Sequence, residues 1–494
     1  MGKVYLVGGG PGDPGLITLK GRRALERADS VLYDHLAPEE LLQMAPAEAE
    51  RLYVGKKKSL HVFSQEEITD MLIERARAGK TVVRLKGGDP YLFGRGGEEA
   101  EALADAGIDF EVIPGVTAPT GIGAYAGVPL THREHTSVVT FVTGHEVDAI
   151  DWTRFGLSET LVIFMGLTAF PEIARRIIAG GRSPRTPAIA VRWGTRADQV
   201  CIEGTLEELP GLIAARGLKP PATIIVGEVV RLRKKLDWFE KLPLFGQRIV
   251  VTRPQNQSAV LSLKLRELGA EVIEIPAIQI EAASDYGPLD RAIAGLDQYD
   301  WLIFTSVNGV AAFFDRLDRS SVDLRRLRAQ LAAIGPATRD ALERAHLKVD
   351  VIGDEYVAES LVEALSSRDL AGRRILLVRA AAAREVLPET LARRGALVEV
   401  VEAYRTVPAP GLREAIANLL STAPQWITFT SSSTVEYFLD ACPTEWKRRI
   451  RAASIGPVTS AALRRQGIEP AAEASVFTAD GLVEAILRAS IIGW

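Results

Sequence analysis

The sequence predicts an α/β protein with largely parallel sheets, arranged as two large modules, the second of which repeats itself. Three observations predict this. Short β-rich runs alternate with amphipathic helical stretches throughout, as in "KTVVRLKGGD" (80–89), "TLVIFMG" (160–166), "RIVVTRP" (248–254), "DWLIFTS" (300–306) and "QWITFTS" (425–431). A charged seam, "RLRKKLDWFEKLPLFGQR" (231–248), holds Pro243 and Gly246 and precedes a fresh strand. Beyond it three segments recur in order. Residues 248–278 align with 374–404 at an offset of 126, 304–314 with 429–439 at 125, and 332–342 with 453–463 at 121.

The bounds are ordinary. A chain of 494 residues exceeds one domain, and 47% hydrophobic with 25% charged residues leaves ample core. Residues 1–246 hold 30 basic and 32 acidic side chains, and the rest hold 29 and 31, so each half carries −2. No basic stripe points to nucleic acid. Cys201 and Cys442 cannot form a disulfide framework, so a reducing cytoplasm is expected. "MGKVYLVGGG" starts a strand at once, without a signal peptide, and nothing reaches the ~18 apolar residues of a membrane span.

The first strand, Val4 to Val7, runs into "GGGPGDPG", where Gly10, Gly12 and Gly15 spell G-x-G-x-x-G with Asp34 downstream. A dinucleotide turn presents backbone N–H groups to the pyrophosphate. Here Pro11 and Pro14 have none to give, and Pro14 holds Asp13 away from helical geometry. The turn is therefore either a rigid structural element or a site for a ligand without phosphates. "RLKGGDPYLFGRGGEE" (84–99) leaves a strand through a Gly-Gly turn and offers Asp89, Arg95 and Glu98 in one loop. "PGVTAPTGIGAYAGVPLTHR" (114–133) is rich in small residues that let a ligand touch backbone. "LTHREHTS" (130–137) places His132, Glu134 and His135 together, but the spacing is loose and no metal is expected.

These blocks, with "LYDHL" and "TLVIFMG", resemble in order those of the tetrapyrrole methylase family, in particular its uroporphyrinogen-III C-methyltransferases, across residues 3–230. One departure is Gly9, where the family more often has alanine. The resemblance implies two α/β lobes with S-adenosylmethionine in the cleft between them, usually in a homodimer, with S-adenosylhomocysteine as product. It places cofactor contacts on Pro11, Gly87, Gly88, Asp89, Leu92, Thr117, Ala118, Met165, Gly194 and Ala222. It makes Asp34 the general base and Lys56 a proton donor, although "VGKKKS" also reads as a solvated charge run. Arg95 and Arg133 would meet substrate carboxylates, which arginine forks suit, and Glu98 would face pyrrole N–H groups.

In the second half each "FTS" ends a buried strand with hydroxyls: Thr305, Ser306 and Asn308, then Thr430, Ser431 and Ser432. Each "IGP-x-T" opens a helix, with Thr338 and Thr459 in the first turn. Such turns read as N-caps or as carboxylate sites, and Arg253 and Arg379 repeat at strand ends. "VVTRP", "IFTSVNGVAAFF", "IGPATRDAL", "AYRT" and "FTSSSTVEYF…IGPVTSAAL" resemble uroporphyrinogen-III synthase across residues 246–494. That resemblance implies two flavodoxin-like subdomains joined by a two-strand ladder near 272–280 and 398–406. It also implies ring closure of hydroxymethylbilane without a cofactor, substrate contacts at Arg253, Ser306, Asn308, Thr338, Arg379, Ser431, Ser432 and Thr459, and assistance by Tyr404 to the departing hydroxyl. Tyr404 equally reads as a packed ladder residue with a wet tip.

The expected organisation is a methyltransferase over 1–240 (lobes about 1–114 and 115–240), a linker over 241–246, and a synthase over 247–494. Within the synthase, one subdomain spans about 247–280 plus 405–494 and the other about 281–404. The expected function is bifunctional. The second half makes uroporphyrinogen III, and the first adds two methyl groups to give precorrin-2, for sirohaem or cobalamin. Expected partners are small tetrapyrroles and a second copy of the chain, not nucleic acid or membrane. Two rivals are an NAD(P) oxidoreductase in the first half and a non-catalytic, small-molecule-binding regulatory module in the second.

Overall fold

The computed structural model describes residues 2–55, 63–353, 358–382, 385–419 and 423–491. The chain forms two compact units, Met1–Gly246 and Gln247–Trp494. The first unit opens with β1 (Lys3–Gly8), β2 (Ser30–Tyr33), β3 (Glu50–Tyr53), β4 (Thr81–Lys86) and β5 (Asp109–Ile113). They form one sheet in the order β3-β2-β4-β1-β5, parallel at every pairing. Apolar clusters cover both of its faces, one around Val7, Leu41 and Leu85 and one around Leu6, Leu72 and Leu103. Parallel strands send their carboxyl ends to one edge, so the loops after β1, β2, β4 and β5 emerge together.

The second lobe departs from the expectation of largely parallel sheets. Its strands are β6 (Val139–Thr143), β7 (Thr160–Phe164), β8 (Pro187–Arg192), β9 (Val200–Thr205) and β10 (Ala222–Val226), in the order β6-β7-β10-β8-β9. Only β6–β7 is parallel; the other three pairings are antiparallel. Residues 193–199 are too few for a crossover between β8 and β9, so the strands must turn back on each other. Because β10 runs against both β7 and β8, Met165, Gly194 and Ala222 come to one edge of this sheet.

The segment expected as a linker, 241–246, is part of the first unit. Leu244 is wholly buried, and Phe245 packs edge-on against Phe239 at 5.3 Å. The apolar residues among the charges decide this, since each buries area that a solvated tether would expose.

The second unit comprises β11 (Arg248–Val251), β12 (Glu271–Glu274), β13 (Ile278–Ala282), β14 (Trp301–Phe304), β15 (Gln330–Ala333), β16 (Val351–Ile352), β17 (Arg374–Ala380), β18 (Leu397–Pro408), β19 (Trp426–Phe429), β20 (Ala452–Ser454) and β21 (Ala472–Glu473). One sheet is β12-β11-β19-β20-β21 and the other is β13-β18-β17-β14-β15-β16. Apart from β13, the two have the same strand order, position for position, under the repeat. Each takes two strands from one sequence copy and three from the other. β11 pairs with β19 of the second copy, and β17 with β14 of the first. The chain crosses between sheets twice, and the crossing segments pair with each other. Ile278–Ala282 runs antiparallel to Tyr404–Pro408, the far half of the long β18. Equivalent cores result: Phe304 meets Phe313 edge-on at 5.4 Å, and Phe429 meets Phe438 at 5.6 Å. Among the described residues no helix is long and apolar enough to cross a membrane.

Candidate functional site

At the carboxyl edge of the first sheet three backbone segments touch. A Cβ on Gly8 would lie 2.5 Å from Gly115 N and 2.7 Å from Gly88 O. Gly10 and Gly88 exchange backbone hydrogen bonds, both at positive φ (80° and 67°) that a side chain would strain. Asp89 shapes this crossing. Its carboxylate accepts from Tyr91 N (2.8 Å), Leu92 N (3.2 Å) and Gly115 N (3.1 Å). The edge thus offers backbone, apolar walls and few free N–H donors, which fits a sulfonium-bearing nucleoside and not a pyrophosphate.

Three contacts set this edge against the second lobe. Asp13 N donates to Thr195 Oγ1 at 2.9 Å, His35 stands edge-on to Trp193 at 5.6 Å, and Phe93 packs on Phe164 at 4.8 Å. Pro11, Gly87, Gly88, Asp89, Leu92, Thr117 and Ala118 therefore face the edge carrying Met165, Gly194 and Ala222. Non-glycine residues in the left-handed region gather here: Phe93, Arg95, Met165, Trp193 and Thr195. Such conformations cost about 1–3 kcal/mol each and concentrate at functional sites. Tyr91, Phe93, Phe141 and Met165 are exposed apolar side chains, and Phe93 and Phe141 both meet the Phe164 ring, a surface suited to a flat macrocycle.

Beneath Asp34 lies a buried charge cluster that the sequence reading missed. Arg84 donates to Asp34 Oδ2 at 3.0 Å and to Glu99 Oε1 at 3.2 Å. Lys86 and Gln65 also reach Glu99 Oε1, each at 2.9 Å. Glu99 is fully buried and its other oxygen has no hydrogen-bond partner. Burial, reinforced by the charge of Arg84, pushes the Lys86 ammonium below its usual pKa, against the opposing pull of Glu99. The signal was present in "RLK": Arg84 and Lys86, two apart on a strand, share a face. Asp34 Oδ1 accepts from Leu36 N, so both carboxylate oxygens are oriented.

Arg95 and Glu98 are brought together, but as an exposed ion pair of 2.6 Å. Arg133 is exposed beside the His132–Thr136 bridge and makes no ion pair with another described residue. The turn does gather His132, Glu134 and His135, their ligating atoms within 4.8 Å, more tightly than the spacing suggested. The two imidazoles are stacked at 28°, so their in-plane lone pairs run side by side instead of converging, and His132 Nδ1 accepts from Glu134 N. Lys56 lies outside the described residues.

In the second unit Ser306 caps the helix Val307–Arg319, accepting from Gly309 N at 3.0 Å, and its hydroxyl also receives the Tyr404 phenol at 3.0 Å. Burial raises the Tyr404 pKa, while the hydrogen bonds to Ser306 and Asn308 oppose the rise. Gln257, unnoticed in the sequence, donates across the unit to Asn308 Oδ1 at 3.0 Å. Ser431 caps the equivalent helix, Ser432–Ala441, and shares a capping box with Thr434. Arg379 is buried against Glu385, whereas Arg253 is desolvated, which lowers its pKa, and has no ion-pair partner among the described residues. Thr338 and Thr459 are both 4% exposed, and each lies on the buried side of its helix with the leucine four residues on, Leu342 and Leu463.

The first unit is thus an α/β enzyme with a phosphate-free nucleoside cleft, and the second is a strand-exchanged pair of flavodoxin-like lobes. Residues 3–210 match the family described as Tetrapyrrole (Corrin/Porphyrin) Methylases, and residues 259–484 match Uroporphyrinogen-III synthase HemD. A porphyrin biosynthesis protein HemD of Ruminiclostridium josui is 35% identical over 495 residues, covering 99% of this chain and 98% of that protein. A uroporphyrinogen-III C-methyltransferase of Bacillus subtilis (strain 168) is 38% identical over 357 residues, covering 71% and 73%. The crystal structure of a Thermus thermophilus uroporphyrin-III C-methyltransferase with S-adenosylhomocysteine is 44% identical, covering 47% of this chain and all of that one, with a TM-score of 0.41. The chain belongs to the family in which a tetrapyrrole methylase is fused to uroporphyrinogen-III synthase. It is a bifunctional enzyme of tetrapyrrole biosynthesis, with S-adenosylmethionine as methyl donor in the first unit.

Proposed function

We propose that the second unit closes hydroxymethylbilane to uroporphyrinogen III and that the first methylates this product twice, giving precorrin-2. The supporting observation is Asp34, fixed by Arg84 at the carboxyl edge where the glycine crossing meets the second lobe. S-adenosylmethionine supplies an electrophilic methyl group when bound. Asp34 then takes the proton that the macrocycle must lose to neutralise the cation left by methylation; it comes from a nitrogen or a bridging carbon, since the methylated carbon already carries an acidic side chain and bears none. Arg95 exchanges its partner Glu98 for a substrate carboxylate, Glu98 is freed for pyrrole N–H groups, and Arg133 meets a second carboxylate. Positioning of this kind accounts for much of the rate of an in-line displacement. In the second unit Arg253, unpaired among the described residues, receives a carboxylate, since a desolvated cation without a counterion favours an anionic ligand. Tyr404 donates its proton to the departing hydroxyl, with Ser306 and Asn308 holding the phenol.

The same reading places the enzyme in the cytoplasm, in keeping with two unpaired cysteines. It also pairs two chains through the first unit, where Val138 ahead of the edge strand β6 and Leu157 ahead of β7 are exposed. The deciding experiment supplies hydroxymethylbilane with and without S-adenosylmethionine and follows isomer and methyl uptake together. Isomer III alone without the donor, and a dimethylated product with it, are expected. Isomer I without methyl uptake overturns the assignment.

A further inference from the structure

The cofactor loop is held from outside by a segment that the chemistry above leaves unused. Asp13 is its anchor. The Asp13 carboxylate accepts from Gly15 N within the loop at 2.7 Å and from the Tyr125 hydroxyl at 2.6 Å, and its backbone N–H reaches Thr195. Tyr125 is the last residue of the helix Ala118–Tyr125, whose Gly121 touches Pro11: a Cβ there would lie 2.5 Å from Pro11 Cγ. One helix therefore fixes both Pro11 and Thr117, the residue that precedes it.

Both partners of Asp13 lead to the tail of the unit, 237–245. On one side the Trp238 and Phe239 rings pack on the Tyr125 ring at 5.1 and 4.8 Å, and the Trp238 indole donates to Ala124 O at 3.0 Å. On the other side Thr195 N donates to Gln199 Oε1 (2.9 Å), and Gln199 Nε2 donates to Glu240 Oε1 (2.9 Å). Arg233 locks the base of the tail, bonding Ala126 O, Glu203 and Glu240 while only 6% exposed. Gly127, at φ 68°, lets the tail cross the helix end: a Cβ would meet Asp237 N at 2.5 Å. Two separate chains of contacts thus run from one strap to one aspartate.

We propose that residues 237–245 act as a positioning strap for S-adenosylmethionine, working through Tyr125 and through Gln199–Thr195 on Asp13, without touching the ligand. The proposal rests on the assignment of the 11–15 loop to that cofactor. Tyr125 and Trp238 are then positioning residues. Their effect falls on cofactor affinity, because a loosened loop must be reordered each time the ligand binds.

The test titrates S-adenosylhomocysteine calorimetrically into the full chain and its Tyr125→Phe, Trp238→Ala and Trp238→Phe variants. Synthase turnover of the same samples reports the folded fraction of the second unit, and thermal melting reports that of the first. Wild-type protein that does not bind the ligand overturns the loop assignment itself, before any variant is compared. Given wild-type binding, Tyr125→Phe should raise Kd about tenfold, equivalent to about 1.4 kcal/mol. Trp238→Ala should do the same, Trp238→Phe should restore most of the loss, and the two arm-one changes combined should fall short of multiplying. kcat at saturating donor should move less than twofold. An unchanged Kd in Tyr125→Phe, or full multiplication of the Tyr125 and Trp238 effects, overturns the strap. If Tyr125→Phe does not fold, Gln199→Ala tests the second arm by the same titration, and an unchanged Kd there overturns it equally.

Discussion

The two units solve the same problem, holding a polycarboxylate tetrapyrrole in a cleft between lobes, with opposite materials. The first builds its cleft from unlike lobes, one parallel and one mixed, and lays charges under it: Arg84, Lys86 and Glu99 are almost wholly buried. The second is built from two lobes of one design and holds capping hydroxyls, a buried phenol and Arg253, which has no ion-pair partner among the described residues. The difference follows the chemistry. Methyl transfer requires a carboxylate held in one place to remove a proton, and a buried guanidinium gives that orientation. Ring closure expels a hydroxyl and needs a neutral donor beside anion-binding groups.

Six substitutions, in four tests, would break or sharpen this contrast. The largest effect is expected from Glu99→Ala, which leaves Arg84 and Lys86 buried without compensation. Removing one partner of a buried pair costs about 3–5 kcal/mol. The melting transition of the first unit should fall steeply while synthase activity survives; an unmoved transition would show that the cluster is wetter than its burial indicates. Next, Asp34→Asn and Tyr404→Phe should each remove a proton-transfer contribution of ~10²–10⁴-fold. The first should stop methyl uptake with substrate affinity kept. The second should slow ring closure well beyond tenfold, with isomer I accumulating by spontaneous closure and with little change in melting. Wild-type rates would reduce Asp34 to a loop anchor or Tyr404 to packing.

A smaller effect separates the arginines. Arg253→Ala should raise the KM for the bilane without loss of stability, since no protein partner is orphaned. Arg379→Ala frees Glu385 and should show in melting as well. Equal stability losses in both would mean that Arg253 holds the fold. The smallest effect is in pH. The buried Lys86 has its pKa lowered in the folded state, so over the window between the lowered value and 10.5 the unfolded chain binds more protons. Stability of the first unit should therefore rise as pH climbs through that window, and Lys86→Met should flatten the slope. The second unit, with no such lysine in its cleft, serves as the control. A slope unchanged by the substitution would assign it to other groups.

Much was legible in the chain. Pro11 and Pro14 ruled against a dinucleotide turn because an absent N–H is a covalent fact that no tertiary context restores. The repeat at an offset near 126 announced two equivalent lobes. Arg84, Lys86 and Glu99 were passed over because charged residues in a list do not reveal that the topology buries them together. Thr338 and Thr459 were legible as first-turn helix residues from "IGP-x-T", whereas their burial was not, because helix position can be read from a sequence and helix packing cannot. The segment 241–246 was read as a linker because the seam around it, 231–248, is charged and holds Pro243 and Gly246, although its apolar residues decide where it lies.

The sequence by itself determined the α/β class, the twofold organisation, the repeat and the chemistry of the first loop, since periodicity, proline and glycine act locally. Tertiary structure, not the spacing of the repeat, decided that β11 pairs with β19 of the second copy and β17 with β14 of the first, in line with the division that the family resemblance implied. The two copies present near-identical edges, so local preference cannot choose between a partner in its own copy and one in the other. What chooses is the pair of crossing segments, Ile278–Ala282 and Tyr404–Pro408. Their antiparallel ladder forms only when the chain leaves one sheet and returns to it.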